Sequence, residues 1–333
     1  MLKIGLFGVG HLGEIHIKCI RNITDLSLVG FYDPDEERSK EITDKYDILR
    51  FEDPLLLMEA VDIVDIVSPT TTHFQLARLA LKKNKHLFIE KPVAYTEAEA
   101  ASLLTMERKT NVKVQIGHVE RFNPAFLTLK DTKLSPMFIE GHRLATFNPR
   151  GTDVSVILDL MIHDIDIVLS IVNSPVKQIS ASGVAVVTNT LDIANARIEF
   201  KNGCVANLTA SRISLKKMRK LRFFQKDAYI SLDFLDKQAQ IVRLYDKDKV
   251  DISTDLPVFE LETNQGTKMI HVEMPDVLEG NAIQSELEAL VLSIQKDEPT
   301  RVSLHDGYRA LKIAHQIMAD IDTRKKINPE PFA

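Results

Sequence analysis

Apolar and polar residues follow two alternating periods along the first third of the chain. Short apolar runs bounded by turn residues predict buried strands: LKIGLFG, LSLVGFY, VDIVDIVSP, HLFIEKP and VKVQIGH. Between them, segments such as DEERSKEITDKY and HFQLARLALKK place their apolar residues at helical spacing. Strands that alternate with helices indicate right-handed βαβ units and a parallel sheet of the Rossmann type.

The alternation of strands and helices stops at about residue 122. Strand-like segments then follow one another: MFIEGHRLATF, VKQISASGVAVVT, IANARIEF, CVANLTASR, MRKLRFFQ, AYISLDF and AQIVRLY. They predict a large open, mostly antiparallel sheet with a helix at 155–172 on one face, and helices return after about residue 278. We therefore expect an α/β Rossmann domain over residues 1–120 and an α+β domain over residues 121–333.

The predicted helix in the second domain is apolar nearly all round, yet it carries ionisable residues. In LDLMIHDIDIVLS, a polar stripe is formed by Asp159, His163, Asp166 and Ser170, which fall on one side of an α-helix. Burying an unpaired charge costs several kcal/mol or more, so the stripe is expected to face polar partners or a cavity. Asp164 points elsewhere and is expected to bind another structural element.

A glycine signature lies between the first predicted strand and the helix that follows. In this context GVGHLG is typical of a dinucleotide-binding loop. Gly8 permits the tight turn, Gly10 lets a pyrophosphate approach the backbone, and Gly13 allows the helix to pack closely on the strand. The remaining candidate cofactor contacts in this loop are Val9, His11 and Leu12. The pyrophosphate would bind at the helix N-terminus, where free N–H groups and the helix dipole favour anions.

An acidic residue ends the second predicted strand. Asp33 lies twenty positions past Gly13, the spacing expected of a carboxylate that binds the adenosine ribose diol. A carboxylate at this place repels a 2′-phosphate, which favours NAD over NADP. Arg38 is a further candidate cofactor contact and keeps NADP open as the less favoured alternative.

Composition and charge narrow the functional classes. The chain has 333 residues, 44% of them hydrophobic and 27% charged, which is ordinary for a globular protein. A net charge of −5 argues against nucleic acid as a partner. Cys19 and Cys204 form no disulfide framework and lie at no metal-ligand spacing, so no metal site is predicted and a reducing cytoplasm fits. The sequence shows neither a targeting signal nor a membrane span.

Polar residues also follow two other predicted strands and the crossing into the second domain. Ligands of open α/β sheets bind at the carboxyl ends of strands, where Ser68-Pro69-Thr70 and Glu90-Lys91-Pro92 lie. His118, Arg121 and Asn123 occupy the crossing, a favoured place for pockets. Arg121 is suited to grip a carboxylate, a phosphate or a sugar hydroxyl, and an interdomain salt bridge is the alternative. The basic run at 216–222 is typical of a solvated strand edge, with a contact to a substrate phosphate as the alternative.

Six segments, in this order, resemble the Gfo/Idh/MocA oxidoreductases. They are GVGHLGEIH, which ends in His16; SPTTTH, which ends in His73; EKP; GHVERFNP; LDLMIH; and the C-terminal segment from ELEALVL to AHQI. The resemblance covers nearly the whole chain. It implies that the helix carrying Asp159 and His163 lines the floor of the substrate site against the nicotinamide. It also implies that His73 and Glu90 belong to the cofactor site and that the catalytic candidates are Lys91, Asp159 and His163.

The chemistry expected of this set is the oxidation of a secondary alcohol. His163 is a natural base for the hydroxyl proton because its ordinary pKa lies near neutrality. Lys91 would then stabilise the developing alkoxide, or would itself be the base if burial and the cationic nicotinamide favoured its neutral form. Asp159 would orient the histidine or hold a sugar hydroxyl. The implied substrate contacts are Lys91, His118, Arg121, Asn123, Asp159 and His163.

Within the family, GHVERFNP and DLMIHDIDIVL look most like members that act on nucleotide-activated amino sugars. The resemblance thus implies oxidation of the 3-hydroxyl of a substrate such as UDP-N-acetylglucosamine. A free sugar or polyol dehydrogenase of the inositol type is the alternative, and a non-catalytic dinucleotide-binding sensor is a second one. Similar proteins associate through the outer face of the second sheet, so a homodimer or homotetramer is expected.

Overall fold

The computed structural model describes residues 1–149, 154–246, 258–264 and 266–327. The chain divides into two compact units. The first unit comprises Met1–Phe122 and Gly280–Lys312, and the second comprises Asn123–Glu279 and Ile313–Ala333. The predicted boundary at residue 120 lies next to the break after Phe122, but the segment at 280–312 belongs with the first unit.

The first unit is built on a five-stranded parallel sheet in the order β2-β1-β3-β4-β5, which confirms the predicted α/β architecture. Its elements are β1 Leu2–Phe7, α1 His11–Arg21, β2 Leu26–Tyr32, α2 Glu36–Tyr46, α3 Pro54–Ala60, β3 Ile63–Ile66, α4 Thr70–Lys82, β4 His86–Glu90, α5 Glu97–Glu107 and β5 Val114–Gly117. A 3-10 turn follows at Val119–Phe122. The order of the strands reverses between β1 and β3, and ligands of such sheets bind in the crevice outside the carboxyl ends at that point.

The second unit carries a nine-stranded sheet in the order β13-β14-β12-β11-β10-β6-β9-β8-β7. Its elements are α6 Pro124–Leu127, β6 Phe138–Leu144, a π-helical turn Ile157–Met161, α7 Ile162–Ile171, β7 Val176–Val184, β8 Ile193–Phe200, β9 Val205–Ser211, β10 Met218–Phe224, β11 Ala228–Asp233, β12 Gln238–Asp246, β13 Val258–Thr263 and β14 Gly266–Glu273. Among the described strand pairs of this sheet only β6 and β9 are parallel, which confirms the mostly antiparallel prediction.

Alternation along the strands of this sheet buries one face and leaves the other polar. In β6, Ile139, Gly141 and Arg143 are buried, whereas Glu140 and His142 are only partly covered. Helix α7 packs against β6 and β9 on the buried face. The sheet and this helix therefore share one core, as the period of two along the strands predicted.

Two helices complete the described chain: α8 Ala282–Lys296 and α9 Leu304–Ile327. Leu287, Leu290 and Val291 of α8 join Ile20 of α1 and Phe88 of β4 in one buried cluster. Because α8 covers this apolar surface, it belongs with the first unit. The helical spacing of its apolar residues does not by itself reveal this partner. None of the helices in the described ranges is both long and apolar enough to cross a membrane.

Candidate active site

The loop between β1 and α1 requires glycine at two positions. Gly8 has a φ of +99°, and a Cβ atom there would lie 2.6 Å from the backbone of Ser68. A Cβ atom on Gly13 would lie 2.2 Å from the carbonyl oxygen of Gly8. The loop after β1 therefore packs against the loop after β3, at the reversal of strand order where this fold binds ligands.

The space at Gly10 fits a bound pyrophosphate. Apart from Gly10 and its two chain neighbours, no atom of the described residues lies within 4 Å of the place where a Cβ atom of Gly10 would stand. Helix α1 begins at His11, and Gly10 supplies no side-chain cap to the helix. His11 is exposed, Leu12 is half-buried and Val9 is fully buried. The amino end of α1 therefore combines room for a ligand with N–H groups that no side chain caps.

Asp33 lies at the end of β2 and contacts the glycine loop. Its Oδ2 accepts the backbone N–H of Val9 at 2.8 Å, and its Oδ1 accepts the N–H of Asp35 at 2.9 Å. The residue is only partly buried. Since an ionised carboxylate has about four acceptor positions, both oxygens retain capacity for hydroxyl groups. The geometry fits a carboxylate that is held rigidly while it accepts bonds from a ribose diol.

Arg38 is bound to protein acceptors through all three guanidinium nitrogens. Its Nε donates to the carbonyl of Val9 at 2.8 Å, and its Nη2 donates to Glu14 Oε2 at 2.8 Å. Its Nη1 lies 2.6 Å from Glu41 Oε2. The hydrogen bonds to Glu41 and Glu14 raise the pKa of Arg38 above its usual value. This arrangement braces the glycine loop against α2 and surrounds the cation with carboxylates.

His73 connects two of the loops at the carboxyl edge of the sheet. Its side chain is 1% exposed. Its Nδ1 lies 2.9 Å from the carbonyl oxygen of Pro92, and its Nε2 lies 2.8 Å from that of Ser68. Within the loop after β3, the hydroxyl of Thr72 donates to the carbonyl of Pro69 at 2.8 Å. The structure thus places His73 behind the loops, where it holds the segment 68–70 to the turn after Lys91.

The tripeptide at the end of β4 has a buried acid and a half-buried lysine. Glu90 is 7% exposed, and its Oε2 accepts the backbone N–H of Lys91 at 3.0 Å. The other oxygen, Oε1, lies 3.5 Å from Nε2 of His16. The carboxylate of Glu90 therefore fixes the backbone from which the side chain of Lys91 departs.

The three predicted substrate contacts that follow β5 are buried or partly buried. His118 is 1% exposed. Arg121 lies 3.8 Å from Asp306, measured from Nη2 to Oδ1, so its salt bridge is formed inside the first unit. Asn123 caps α6 by accepting the N–H of Ala125 at 3.1 Å. The contact with Asp306 lies within one unit, whereas the alternative expected for Arg121 was an interdomain salt bridge.

The helix that carries Asp159 and His163 begins with a π-helical turn. The N–H of Ile162 donates to the carbonyl of Ile157, five residues earlier. Asp159 and His163 are half-buried, while Asp166 of the predicted stripe is 1% exposed and lies in the interior. π-Helical turns are rare and occur frequently at functional sites. The sequence spacing predicts an α-helix here and gives no sign of this turn.

Asp164 anchors α7 to the sheet. The Nη2 of Arg143 donates to Asp164 Oδ1 at 2.7 Å, and the Nε of Arg143 donates to Oδ2 at 3.0 Å. Both side chains are at most 4% exposed. This bidentate pair gives Asp164 the separate structural partner that its direction predicted, and it fixes the helix one residue beyond His163.

A second anchor holds the chain that enters the π-helical turn. Asp192 is fully buried and accepts the N–H groups of Val186 at 2.7 Å and Thr188 at 3.0 Å. Burial acts against its ionisation, but these bonds lower the pKa of Asp192 to about 2. The carbonyl of the preceding residue, Leu191, accepts the N–H of Val156 at 2.9 Å. The loop before β8 thereby fixes the residue that directly precedes the turn bearing Asp159.

Comparison with known proteins identifies the family. Residues 2–118 match the model of an oxidoreductase family with an NAD-binding Rossmann fold. Residues 115–230 match the GFO/IDH/MocA C-terminal domain. The UDP-N-acetylglucosamine 3-dehydrogenase of Acidithiobacillus ferrooxidans is 33% identical over 96% of this chain and 97% of its own. A myo-inositol 2-dehydrogenase of Thermotoga maritima is 24% identical over 99% of each chain.

Solved structures give the same relationship. A crystal form of the A. ferrooxidans enzyme superposes with a TM-score of 0.86 at 32% identity, over 97% of this chain and 98% of that one. A probable dehydrogenase from T. maritima, at 24% identity, has a TM-score of 0.77 over 97% of both chains and shows the shared fold. The glycine loop and Asp33 described above fit the nicotinamide dinucleotide that such a domain binds. The chain therefore belongs to the Gfo/Idh/MocA family of NAD-binding oxidoreductases and is a dehydrogenase that acts on CH–OH groups.

Proposed function

We propose that this protein oxidises the 3-hydroxyl of a nucleotide-activated amino sugar, UDP-N-acetylglucosamine or a close analogue, with NAD as the hydride acceptor. The observation that carries this proposal is the extent of the match to the A. ferrooxidans enzyme. The identity of 33% extends over 96% of the chain, whereas the inositol dehydrogenase that matches equally fully is 24% identical. The match extends over both units, so the proposal rests on more of the chain than the unit with the glycine loop.

The proposed roles divide between the two units. The first unit holds the dinucleotide through the glycine loop and Asp33, and it presents the ammonium group of Lys91. The second unit presents Asp159 and His163. The bound nicotinamide supplies a carbon that accepts the hydride of the alcohol.

The remaining chemistry belongs to side chains of this protein. His163 takes the hydroxyl proton, Lys91 stabilises the negative charge that develops on the oxygen, and Asp159 orients the imidazole or a sugar hydroxyl. In the other assignment, which uses the same groups, Lys91 is the base.

A substrate panel tests the proposal. We expect purified protein with NAD to produce the 340 nm absorbance of reduced nicotinamide when UDP-N-acetylglucosamine is added. The signal should be much weaker with myo-inositol, scyllo-inositol or glucose, because these lack the nucleotide that contributes binding energy. Analysis of the product should show a ketone at C3. Turnover of an inositol with no turnover of the nucleotide sugar would overturn the proposal and favour the polyol alternative.

The preference for NAD is proposed to depend on the carboxylate of Asp33. Arg38, the nearby cation, is occupied by Glu14 and Glu41, which disfavours a 2′-phosphate there. We expect Asp33→Ala to weaken NAD binding by about tenfold, the loss of roughly two hydrogen bonds to hydroxyl groups. NADP should bind no worse than before, so the ratio of the two affinities should fall. Titration by protein fluorescence measures both.

Asp62 provides a control for this variant, because it lies at the amino end of β3 whereas Asp33 lies at the carboxyl end of β2. The Oδ2 atom of Asp62 accepts the N–H of Lys3 at 2.8 Å. Asp62→Ala should leave both dinucleotide affinities unchanged. Equal losses of NAD and NADP affinity in Asp33→Ala would mean that Asp33 only supports the loop.

A further inference from the structure

Four ionisable side chains from separate elements meet inside the first unit. His16 of α1 and Asp65 of β3 are fully buried, and Glu90 of β4 is 7% exposed. Nδ1 of His16 lies 2.9 Å from Oδ2 of Asp65, and Nε2 lies 3.5 Å from Oε1 of Glu90. Glu286 of α8 is also fully buried. Burial of charge at this density is costly unless the groups are paired.

His16 lies between the carboxyl groups of Asp65 and Glu90. Burial alone would lower the pKa of His16, but these two groups raise it well above its usual value. Nδ1 of His16 is within hydrogen-bond distance of Asp65, whereas Nε2 lies 3.5 Å from Glu90, an electrostatic contact that is longer than a hydrogen bond. The edge of the imidazole ring meets Phe88 at a centroid distance of 5.5 Å.

Glu286 is the fourth member of the cluster. Neither of its carboxyl oxygens has a hydrogen-bond partner among the described residues. Burial and the nearby charge of Glu90 raise the pKa of Glu286 well above its usual value. The other groups that face this place are the amide of Gln115, which donates to the backbone carbonyl of Glu286, and the thiol of Cys19, whose pKa is raised by burial.

Glu90 connects the cluster to the loop that carries Lys91. Its Oε1 faces His16, while its Oε2 accepts the backbone N–H of Lys91 at 3.0 Å. The carboxylate also fills the space left by Gly117, since a Cβ atom there would lie 2.8 Å from Oε1. The orientation of this carboxylate is therefore set by His16 on one side and by the backbone of β5 on the other.

We propose that His16 is a positioning residue for Lys91: its ring, paired with Asp65, fixes the Glu90 carboxylate that holds the Lys91 backbone. The inference rests on the proposed function, because it gives the ammonium group of Lys91 a part in the reaction. The backbone of Lys91 then has the same position in every catalytic cycle. Misplacement of a reacting group by about 1 Å costs on the order of a hundredfold in rate, so a buried device of this kind has a large effect.

The sequence offers a specific probe of the bond between Glu90 and Lys91. These residues form the only Glu-Lys step in the 333-residue chain. Cell-free protein labelled with ¹³C at the glutamate carbonyl and ¹⁵N at lysine therefore gives a single amide signal in a carbonyl-filtered spectrum, that of Lys91. A proton shared with a carboxylate resonates downfield, and we expect that position in the natural protein. The signal is measured without any substrate.

Three variants and a control complete the test. His16→Gln should move the Lys91 signal upfield and lower kcat by about 10- to 100-fold, with the Kd for NAD unchanged within about twofold. Gly117→Ala should do the same, because the new methyl group displaces the Glu90 carboxylate. Glu286→Gln should leave both readouts unchanged, because neither carboxyl oxygen of Glu286 has a hydrogen-bond partner among the described residues. The control is Ile20→Ala, which removes a core side chain from the same helix, 1% exposed, outside the cluster.

The outcomes separate this inference from the proposed function. If His16→Gln and Gly117→Ala shift the Lys91 signal no more than Ile20→Ala does, the positioning role is overturned, whatever the substrate. If the signal moves but kcat does not, Lys91 has no part in the step that limits turnover, and the positioning proposal fails. If the natural protein oxidises another alcohol in place of the nucleotide sugar, the proposed substrate is wrong. The variants are then compared on that alcohol.

Discussion

Lys91→Ala is expected to lower kcat by a factor of about 100 or more while NAD binds with unchanged affinity. The backbone at this position is fixed by the hydrogen bond from its own N–H to Glu90, so the substitution removes the ammonium group and leaves the loop in place. An alkoxide that forms without a cationic donor loses its main electrostatic stabilisation. Initial rates with a saturating nucleotide sugar and fluorescence titration with NAD measure the two quantities.

A lysine elsewhere in the first unit provides the matched control. Lys83 follows α4 and lies 2.7 Å from Glu59 in a surface ion pair, measured from Nζ to Oε1. Such pairs contribute about 1 kcal/mol or less to stability. Lys83→Ala should therefore leave kcat and the affinity for NAD unchanged. Near-normal turnover in Lys91→Ala would mean that the ammonium group has no part in the mechanism. The fixed backbone position of residue 91 would then have no effect on catalysis.

The fold was predictable from the sequence wherever one period of apolar residues persists. The five strands of the first sheet are short apolar runs between amphipathic helices, and this pattern has few topological solutions. In the second unit, alternation along β6 and its neighbours predicts a sheet with one covered face. β13 and β14 were not predicted, since VFELET and GTKMIHVE mix polar and apolar residues, with residues 259–263 exposed and β14 mostly half-buried. Helix α3 was also missed, although Asp53 caps it and Pro54 begins it.

The candidate site was predictable only where its residues are close in the sequence. The glycine loop and Asp33 follow from backbone geometry that few other residues allow. The cluster around His16 could not be derived in this way, because it includes Glu286, which lies 270 positions away in an amphipathic helix where the sequence gives no sign that this glutamate is buried. The π-helical turn before His163 could not be predicted from the spacing of residues either. The spacing of apolar residues indicates a helix, but it does not show which carbonyl each backbone N–H contacts.

Buried ion pairs between distant residues are a second feature that the sequence alone did not predict. The charges of Asp164 and Arg143 are each consistent with an exposed position, and only the packing of α7 on β6 brings them together. The bidentate contact at 2.7 and 3.0 Å gives the helix a fixed rotation on the sheet. The sequence indicated that Asp164 needed a partner but gave no means of choosing it. Long-range pairing of this kind holds Asp159 and His163 in place, although neither residue belongs to the pair.

His163→Ala is the second substitution with a large expected effect, and it decides which group is the base. We expect kcat/KM of the natural protein to fall toward acid pH, because a general base must be unprotonated to accept the hydroxyl proton. If His163 is that base, His163→Ala lowers kcat by about 100-fold or more and removes the acid limb of the profile. Added imidazole should restore part of the activity, since a small base can occupy the space that the side chain left.

The control and the competing assignment give distinct profiles. His305→Ala, at an exposed position in the first turn of α9, should keep both the rate and the acid limb of the natural protein. If Lys91 is the base, His163→Ala keeps the acid limb of the profile at a lower rate, and Lys91→Ala removes the acid limb.

Asp159→Asn tests whether Asp159 acts through His163 or on the substrate. If Asp159 acts by orienting His163, the double variant that combines Asp159→Asn with His163→Ala is no slower than His163→Ala alone. A double variant slowed by the product of both factors would assign Asp159 to the substrate directly, because two independent contacts to the transition state multiply in rate.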